Sequence, residues 1–391
     1  MSSMLSSYTL FLRARLRPAP ACLASAVLAC TLPAFADPGV TADRILIGQS
    51  AAFTGTPAEE VKQATAGANL YFDGVNRSGG INGRKIVLSS LDDGFEPKRT
   101  VDNTHKLIDE QKVFALFLYR GTPTTEAVLP LIRDAKIPLV APVTGASSLH
   151  EPMQRYVFNV RSKYRDEVEK TVSQISAMGM VKLAVFASND SFGKDAQEGL
   201  IASTKLHKLA APTVATYERN TVAVEPAVAK ILAAQPQAVF MFCTAKPCDA
   251  FIRQYRAAGG FQPLFTLSNV SSQVFLSGLG PLARGLGITQ VFPNPRDITI
   301  AIVKEFREAL KTHSELSDSY PTFEGFISAK ILSEGLRRAG STPTREGLVT
   351  ALEDMKTSDL GGLNVHYGPA SRTGSTFVEL TVIGKNGIVV R

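Results

Sequence analysis

The feature that most constrains the fold is a strand–helix–strand pattern over residues 113–149. Val113–Tyr119 and Ile137–Val143 are apolar runs, typical of parallel strands that are buried on both faces. The segment between them opens with Thr122, which we expect to cap a helix, and it continues with apolar residues at helical spacing. The stretch therefore predicts a parallel βαβ unit.

Both predicted strands are followed by loops rich in hydroxyl groups and small residues. Thr122-Pro123-Thr124-Thr125 follows the first strand, and Thr144-Gly145-Ala146 follows the second. Open α/β sheets bind ligands at the carboxyl ends of their strands, and two adjacent loops could offer hydroxyl and backbone N–H groups to one carboxylate. Pro123 has no N–H to donate. Because Thr, Ser and Gly are also ordinary turn residues, either loop alone is equally compatible with a structural role.

The first 36 residues have the pattern of a signal peptide. Three arginines precede an alanine-rich apolar stretch, Ala19–Leu32, and Ala34-Phe35-Ala36 fits a small-x-small cleavage site. The sequence therefore predicts an exported chain that begins at Asp37. A lipid anchor on Cys30 is the alternative, because Val27-Leu28-Ala29-Cys30 loosely resembles a lipobox.

Composition and motifs narrow the classes of function. The net charge is +7, and the three arginines of residues 1–36 contribute 3 of these charges and leave +4. The remaining basic residues are mixed with acids, which gives little support to nucleic-acid binding. The five histidines are scattered, no metal-ligand spacing occurs, and no nucleophile elbow or P-loop is present, so we expect neither a metal site nor an enzyme.

Cys243 and Cys248 are the two cysteines beyond the predicted signal peptide. In an oxidising compartment a local disulfide is a better interpretation than half of a zinc site, since no second Cys or His pair lies nearby in the sequence.

The order of the motifs resembles the type I periplasmic binding proteins, and most of all the leucine/isoleucine/valine-binding proteins of ABC importers. The resemblance rests on TGTPAEEV at residues 54–61, VNRSGGINGRK at 75–85, DDGFEPK at 92–98 and SNDSFGKDA at Ser188–Ala196. It implies an α/β fold with two Rossmann-like parallel-sheet lobes joined by a three-segment hinge, with crossings near 159–161, 290–292 and 364–367. The implied domains are a signal peptide, 1–36; a first lobe, 37–160 with 291–365; and a second lobe, 161–290 with 366–391.

The resemblance also implies which residues bind the ligand, an amino acid held between the lobes. The ligand's carboxylate would lie against the two hydroxyl-rich loops, and an aromatic residue of the second lobe would cover the ligand. The implied positions are Thr122, Thr124, Thr144, Gly145, Ala146, Phe192 and Asn269. Phe192 could instead be a core residue at the start of a helix.

Asn269 occupies the position where the resembling proteins usually carry an acid for the ligand's ammonium group. A buried ammonium without a counter-charge would be costly. Either another acid replaces it, with Asp190, Glu59 and Glu218 as candidates, or the ligand has no amine. Glu59 and Glu60 are interpreted as first-turn acids favoured by the helix dipole. Arg120 could add positive charge to the carboxylate site, but as the end of a buried strand it is expected rather to extend to solvent.

These observations predict a monomeric periplasmic protein without cofactors, which captures a hydrophobic amino acid or similar carboxylate and delivers it to a permease in the inner membrane. The alternative is a sensor that binds a non-amine acid or amide and signals to a receptor. A hydrolase is a third interpretation, but the sequence offers no nucleophile and base for one.

Overall fold

The computed structural model describes residues 37–385 and 389–390. These residues form two parallel-sheet lobes, which confirms the predicted α/β fold class. Within them, no helix is both long and apolar enough to cross a bilayer. The predicted signal peptide and the Cys30 anchor lie outside the described residues.

The first sheet contains five parallel strands in the order β2-β1-β3-β4-β5. The apolar runs at 113–119 and 137–143 do form strands, but these are short because Leu118 and Ala141 have left-handed φ values of 55° and 59° that end them. The bounds are β1 Arg44–Ala51, β2 Lys85–Asp92, β3 Ala115–Phe117, β4 Leu139–Val140 and β5 Val157–Phe158.

The second sheet repeats this order as β7-β6-β8-β9-β10 and adds two antiparallel strands beside β10. The bounds are β6 Leu183–Ser188, β7 Thr213–Tyr217, β8 Ala238–Phe242, β9 Leu264–Thr266, β10 Gly287–Gln290, β13 Glu379–Ile383 and β14 Val389–Val390. A separate hairpin pairs β11, Thr357–Asp359, with β12, Asn364–His366.

Helices connect the parallel strands, and several begin at side-chain caps, such as Asp190, Ser272, Ser319 and Thr344. The bounds are α1 Ala58–Arg77, α2 Pro97–His105, α3 Thr122–Asp134, α4 Tyr164–Ala177, α5 Ser191–Leu206, α6 Glu225–Ala234, α7 Ala245–Ala257, α8 Gln273–Leu279, α9 Ala301–Leu310, α10 Tyr320–Arg338 and α11 Arg345–Glu353. A π-helical turn, Lys106–Glu110, follows α2, and 3₁₀ turns occur at Ser147–Leu149, Ser268–Val270 and Gly280–Ala283.

Helices α1 and α10 pack at unusually close range in the first lobe. A Cβ atom on Gly67 would lie 1.8 Å from the carbonyl oxygen of Thr322, and one on Gly325 would lie 1.8 Å from that of Ala64. Only glycine fits at these two contacts. The close packing fixes the amino-terminal turns of both helices, which carry Glu60 and Glu324.

Two connections between the sheets, one after β5 and one before β13, are hydrogen-bonded to each other. Asn159 N donates to Arg372 O, Gly374 N donates to Asn159 O, and Ser375 N donates to Val160 O. The lobe boundaries and the three hinge crossings stay predictions.

Candidate ligand-binding site between the two lobes

The strand order places a crevice in each lobe, and the two crevices face each other. The strand order reverses between β1 and β3 in the first sheet and between β6 and β8 in the second. Open α/β sheets bind ligands in the crevice that forms where the strand order reverses. Thr56 follows β1 and Thr244 follows β8. The Thr244 hydroxyl donates to Thr56 Oγ1 over 2.9 Å, so the two crevices meet.

The two hydroxyl-rich loops lie side by side, as the sequence suggests. Thr122 Oγ1 and Thr144 Oγ1 are 2.7 Å apart, and both residues are buried. Helix α3 begins at Thr122 and has Gly121 in the cap position with a φ of 97°, so the expectation that Thr122 caps the helix is wrong by one residue. The amino terminus of α3 favours negative charge beside the threonine pair.

The other first-lobe candidates support these loops. The Thr124 hydroxyl donates to the carbonyl oxygens of Arg120 and Gly121, at 2.5 and 2.9 Å, within the first turn of α3. Ala146 N donates to Thr144 Oγ1 over 3.2 Å. Gly145 lies against the next segment, because a Cβ atom there would be 2.7 Å from Tyr164 N. The structure thus brings Thr122 and Thr144 together, whereas the Thr124 hydroxyl serves the helix start.

Phe192 packs against Tyr164 at the start of α5. The ring centroids are 5.0 Å apart in an edge-on arrangement, and both side chains are buried. This position is compatible with an aromatic cover for a ligand and with a core phenylalanine.

Asn269 and Arg120 join the two lobes. Arg120 Nη2 donates to the backbone oxygen of Asn269 over 2.9 Å, while Asn269 Nδ2 donates to the backbone oxygen of Cys243 over 3.0 Å. No described residue hydrogen-bonds to Asn269 Oδ1. Arg120 is only 5% exposed, so the expectation that it extends to solvent is wrong. The loop after β9 holds its guanidinium between the lobes.

Glu60 forms a second contact between the lobes. Its side chain lies in the first turn of α1, and Oε1 accepts a hydrogen bond from Ser272 Oγ over 2.6 Å. Burial raises the pKa of Glu60, while the positive charge of Arg120 and the Ser272 hydrogen bond oppose that rise. Glu60 is thus the first-turn acid that the sequence indicates. It is also only 1% exposed and contacts the second lobe, which the sequence interpretation did not include.

A buried ionic network lies beside these contacts. Arg161 Nε lies 3.0 Å from Glu324 Oε1, and Arg161 Nη2 donates to Ser268 Oγ over 3.0 Å. Glu167 accepts hydrogen bonds from Ser268 N and from Thr289 Oγ1, at 2.8 and 2.5 Å. These charges hold the ends of β9 and β10 against the first lobe and against the start of α4.

The three acids considered from sequence as ammonium partners are engaged elsewhere. Asp190 accepts from Gly193 N and pairs with Arg219 at 3.2 Å. Glu59 pairs with Lys62 at the surface, and Glu218 accepts from Asn189 at the surface. The buried acids of the cluster described above are instead Glu60, Glu167 and Glu324.

Arg219 connects the two lobes at the rim of the cleft. Its guanidinium lies 4.3 Å from the centroid of the Phe95 ring in the first lobe, and Nη2 donates to the Phe95 carbonyl oxygen. The neighbouring Asn220 donates to Glu96 over 2.7 Å. These contacts hold the two lobes together at the cleft edge.

An open groove of about 740 Å³ lies between the lobes next to Glu60 and Ser272. This volume lies within the range of small-molecule sites. Its walls are mostly apolar, with Phe53 and Ala58 from the first lobe and Val274 and Phe275 from the second.

In the structure, Cys243 and Cys248 are joined by a disulfide between the end of β8 and the first turn of α7. The bond lies next to the carbonyl group that holds Asn269.

Sequence reasoning missed Glu60, Arg161, Tyr164, Glu167 and Glu324 as residues of this cluster. One signal was available, because Glu324 interrupts the otherwise mostly apolar stretch YPTFEGFISAKIL of α10. A charged side chain at a buried position of a helix needs a partner.

The fold and the cleft together define a two-lobed binding protein of type I. The family described as periplasmic binding protein matches residues 44–382, and the chain belongs to that family. Its relatives within that family include Leu/Ile/Val-binding proteins.

Curated relatives and solved structures agree with this placement. Leu/Ile/Val-binding protein homolog 3 of Brucella melitensis is 24% identical over 320 residues, which are 80% of this chain and 84% of the relative. Leu/Ile/Val-binding protein BraC3 of Rhizobium johnstonii is 25% identical over 335 residues, 83% of this chain and 87% of the relative. The substrate-binding periplasmic protein of Ralstonia solanacearum has a TM-score of 0.84 and 37% identity, and the match covers 88% of this chain and 99% of that one.

Two more distant structures of the same fold are complexes with different kinds of ligand. The LivJ substrate-binding protein of Streptococcus pneumoniae is in complex with isoleucine; it is 18% identical, with a TM-score of 0.79, over 89% of this chain and 98% of that one. An ABC transporter solute-binding protein from R. palustris is in complex with benzoate; it is 20% identical, with a TM-score of 0.81, over 89% of this chain and 95% of that one.

Proposed function

We propose that this protein is the exported solute-binding component of an ABC importer. It captures a hydrophobic amino acid or a similar small carboxylate between its lobes and presents the closed form to a permease in the inner membrane. Residues 1–36 act as the signal peptide, and the mature protein works as a monomer in the periplasm without a cofactor. The first lobe comprises residues 37–160 and 291–365, and the second lobe comprises residues 161–290 and 366–391.

The observation that carries this proposal is that polar side chains from both lobes meet in one buried cluster between the lobes. The Arg120–Asn269 and Glu60–Ser272 hydrogen bonds each join the lobes. A ligand that bridges the same groups stabilises the closed state, because it gains contacts with both lobes only after closure. The Thr122–Thr144 pair provides a neutral hydrogen-bond donor for the ligand's carboxylate, and Arg120 provides the charge.

A simple acid without an amine is the second candidate. Asn269 carries no charge that could balance an ammonium group, and a fold relative is in complex with benzoate. The two candidates differ in one functional group of the ligand, so matched ligand pairs distinguish them.

The test is a thermal-shift panel on protein that has been unfolded, dialysed and refolded to remove any bound ligand. Each amino acid is paired with its deamino analogue, for example leucine with 4-methylpentanoic acid. A ligand at about a hundred times its dissociation constant adds roughly 2.7 kcal/mol to the unfolding free energy. The proposal is wrong if neither amino acids nor deamino acids raise the melting temperature.

A further inference from the structure

The Glu60 carboxylate is buried with one oxygen unused. Oε1 accepts the Ser272 hydrogen bond, whereas no described residue hydrogen-bonds to Oε2. The residue is 1% exposed, and it is one of the residues that line the open groove between the lobes. A buried polar atom without a partner costs free energy, and the cost is larger for a charged group. Glu60 Oε2 is therefore an acceptor that a bound molecule can satisfy.

A positive charge lies close to this acceptor but is not used by it. Arg120 affects the protonation of Glu60 by its charge, yet its Nη2 hydrogen bond goes to the Asn269 carbonyl oxygen. Nearby, no described residue hydrogen-bonds to Arg161 Nη1 or to Asn269 Oδ1. The cleft thus holds an acceptor and cationic donors at separate points of one buried cluster.

We propose that Glu60 pairs with the ammonium group of the ligand, so that the ligand is a zwitterionic amino acid whose carboxylate lies against Arg120 and the Thr122–Thr144 pair. This assignment rests on the proposed function. An ammonium group satisfies the unused oxygen and compensates its charge, whereas a simple carboxylate brings a second negative charge close to Glu60. The neutral Asn269 is then no obstacle to amine binding, because the acid comes from the first lobe.

The assignment predicts the sign of the pH dependence. Glu60 is surrounded by Arg120 and the neighbouring Glu59, and Arg161, Tyr164 and Glu324 lie around Arg120. The groove beside it also carries Lys62, Lys246 and Asp249. Burial raises the pKa of Glu60, so protonation of this group competes with the ammonium. Amino-acid affinity therefore falls as the pH is lowered. An anion without an amine binds more tightly at lower pH, since a neutral Glu60 no longer repels it.

The experiment is calorimetric titration of the wild-type protein and two variants with leucine, phenylalanine and their deamino analogues. Titrations at about pH 6 and pH 8 keep the ligand carboxylates ionised and the amines protonated. Glu60→Gln keeps a hydrogen-bond acceptor for Ser272 and removes the charge. Glu308→Gln is the matched control, because Glu308 forms an exposed i,i+3 pair with Lys311 at the end of α9 and does not line the groove.

We expect Glu60→Gln to weaken amino-acid binding by at least about thirtyfold and to abolish its pH dependence. Deamino acids should bind no more weakly to this variant than to the wild type, and Glu308→Gln should behave as the wild type. Amino-acid binding that Glu60→Gln leaves unchanged would overturn the assignment and leave the proposed function intact. So would wild-type affinity for amino acids that rises as the pH falls, a result that needs no variant. If no amino or deamino acid binds the wild type, the proposed function itself fails.

Discussion

Replacing Arg219 by Lys should weaken ligand binding without unfolding the protein. Arg219 is a second-lobe residue whose guanidinium stacks on Phe95 and hydrogen-bonds to the Phe95 carbonyl oxygen in the first lobe. It also pairs with Asp190 in its own lobe at 3.2 Å. A lysine keeps a positive charge for Asp190, but its compact ammonium cannot replace the stacked planar fork.

The expected magnitude follows from the contacts between the lobes. A hydrogen bond from a charged donor contributes about 1.5–3 kcal/mol, and a partly buried cation–π contact adds about 0.5–1 kcal/mol. The pair with Glu96 spans 3.7 Å, and the Glu96 side chain is 47% exposed, so we give it no weight. Allowing for what lysine retains, the closed state loses about 2–3 kcal/mol, or roughly thirty- to hundredfold in affinity if the free protein is mainly open.

Calorimetric titration with the best ligand of the panel measures this loss, and thermal unfolding without ligand serves as the check on the fold. The matched control is Arg338→Lys, because Arg338 pairs with Glu334 on the outer surface of α10. Unchanged affinity in Arg219→Lys, or an equal loss in Arg338→Lys, would refute the reasoning. So would a fall in ligand-free stability large enough to explain the weaker binding.

Three further predictions concern the site, the folded state and the disulfide. Thr122→Val should reduce ligand affinity about ten- to hundredfold, because it removes a hydrogen bond worth roughly 1.5–3 kcal/mol. Thr122→Ser keeps the hydroxyl group and should bind the ligand as the wild type does. Equal ligand affinity of both variants in calorimetry would contradict a role of Thr122 in binding. Burial lowers the pKa of His150 from 6.5 to about 4. Between these pH values the unfolded chain therefore binds more protons than the folded protein, and the unfolding free energy should fall by about 3 kcal/mol as the pH is lowered from 6.5 to 4. Urea unfolding should show this slope reduced in His150→Gln, and an identical slope in both proteins would contradict the assignment. Thiol labelling of the unreduced, unfolded mature protein should find Cys243 and Cys248 unreactive, and two labelled thiols would exclude the bond.

Much of the fold could be predicted because its signals are local. The sequence predicts strands at 183–187, 213–217 and 238–243, and these stretches contain most of β6 and all of β7 and β8. A parallel strand covered on both faces must be apolar along its length, and this requirement is visible in the sequence itself. The ends of β3 and β4 were less predictable, since left-handed residues such as Leu118 and Ala141 carry no glycine signal.

The charged cluster of the cleft could not be predicted, because it depends on contacts between distant parts of the chain. Glu59 and Glu60 are identical neighbours with different environments: the Glu59 side chain is 46% exposed, whereas Glu60 is buried against Ser272 in the other lobe. One helical step of about 100° separates them. In the same way, Arg120 is buried by the loop that contains Asn269, far away in the sequence.

The most direct test of the account is a distance measurement across the cleft with and without ligand. Lys98 in the first lobe and Ala223 in the second are exposed, and each lies close in sequence to the Glu96–Asn220 contact at the cleft rim. Spin labels at these two positions should give a broad or long distance distribution in ligand-free protein and a single shorter distance once a ligand from the panel is bound. The same distance distribution in free and ligand-saturated protein would contradict capture by closure of the lobes.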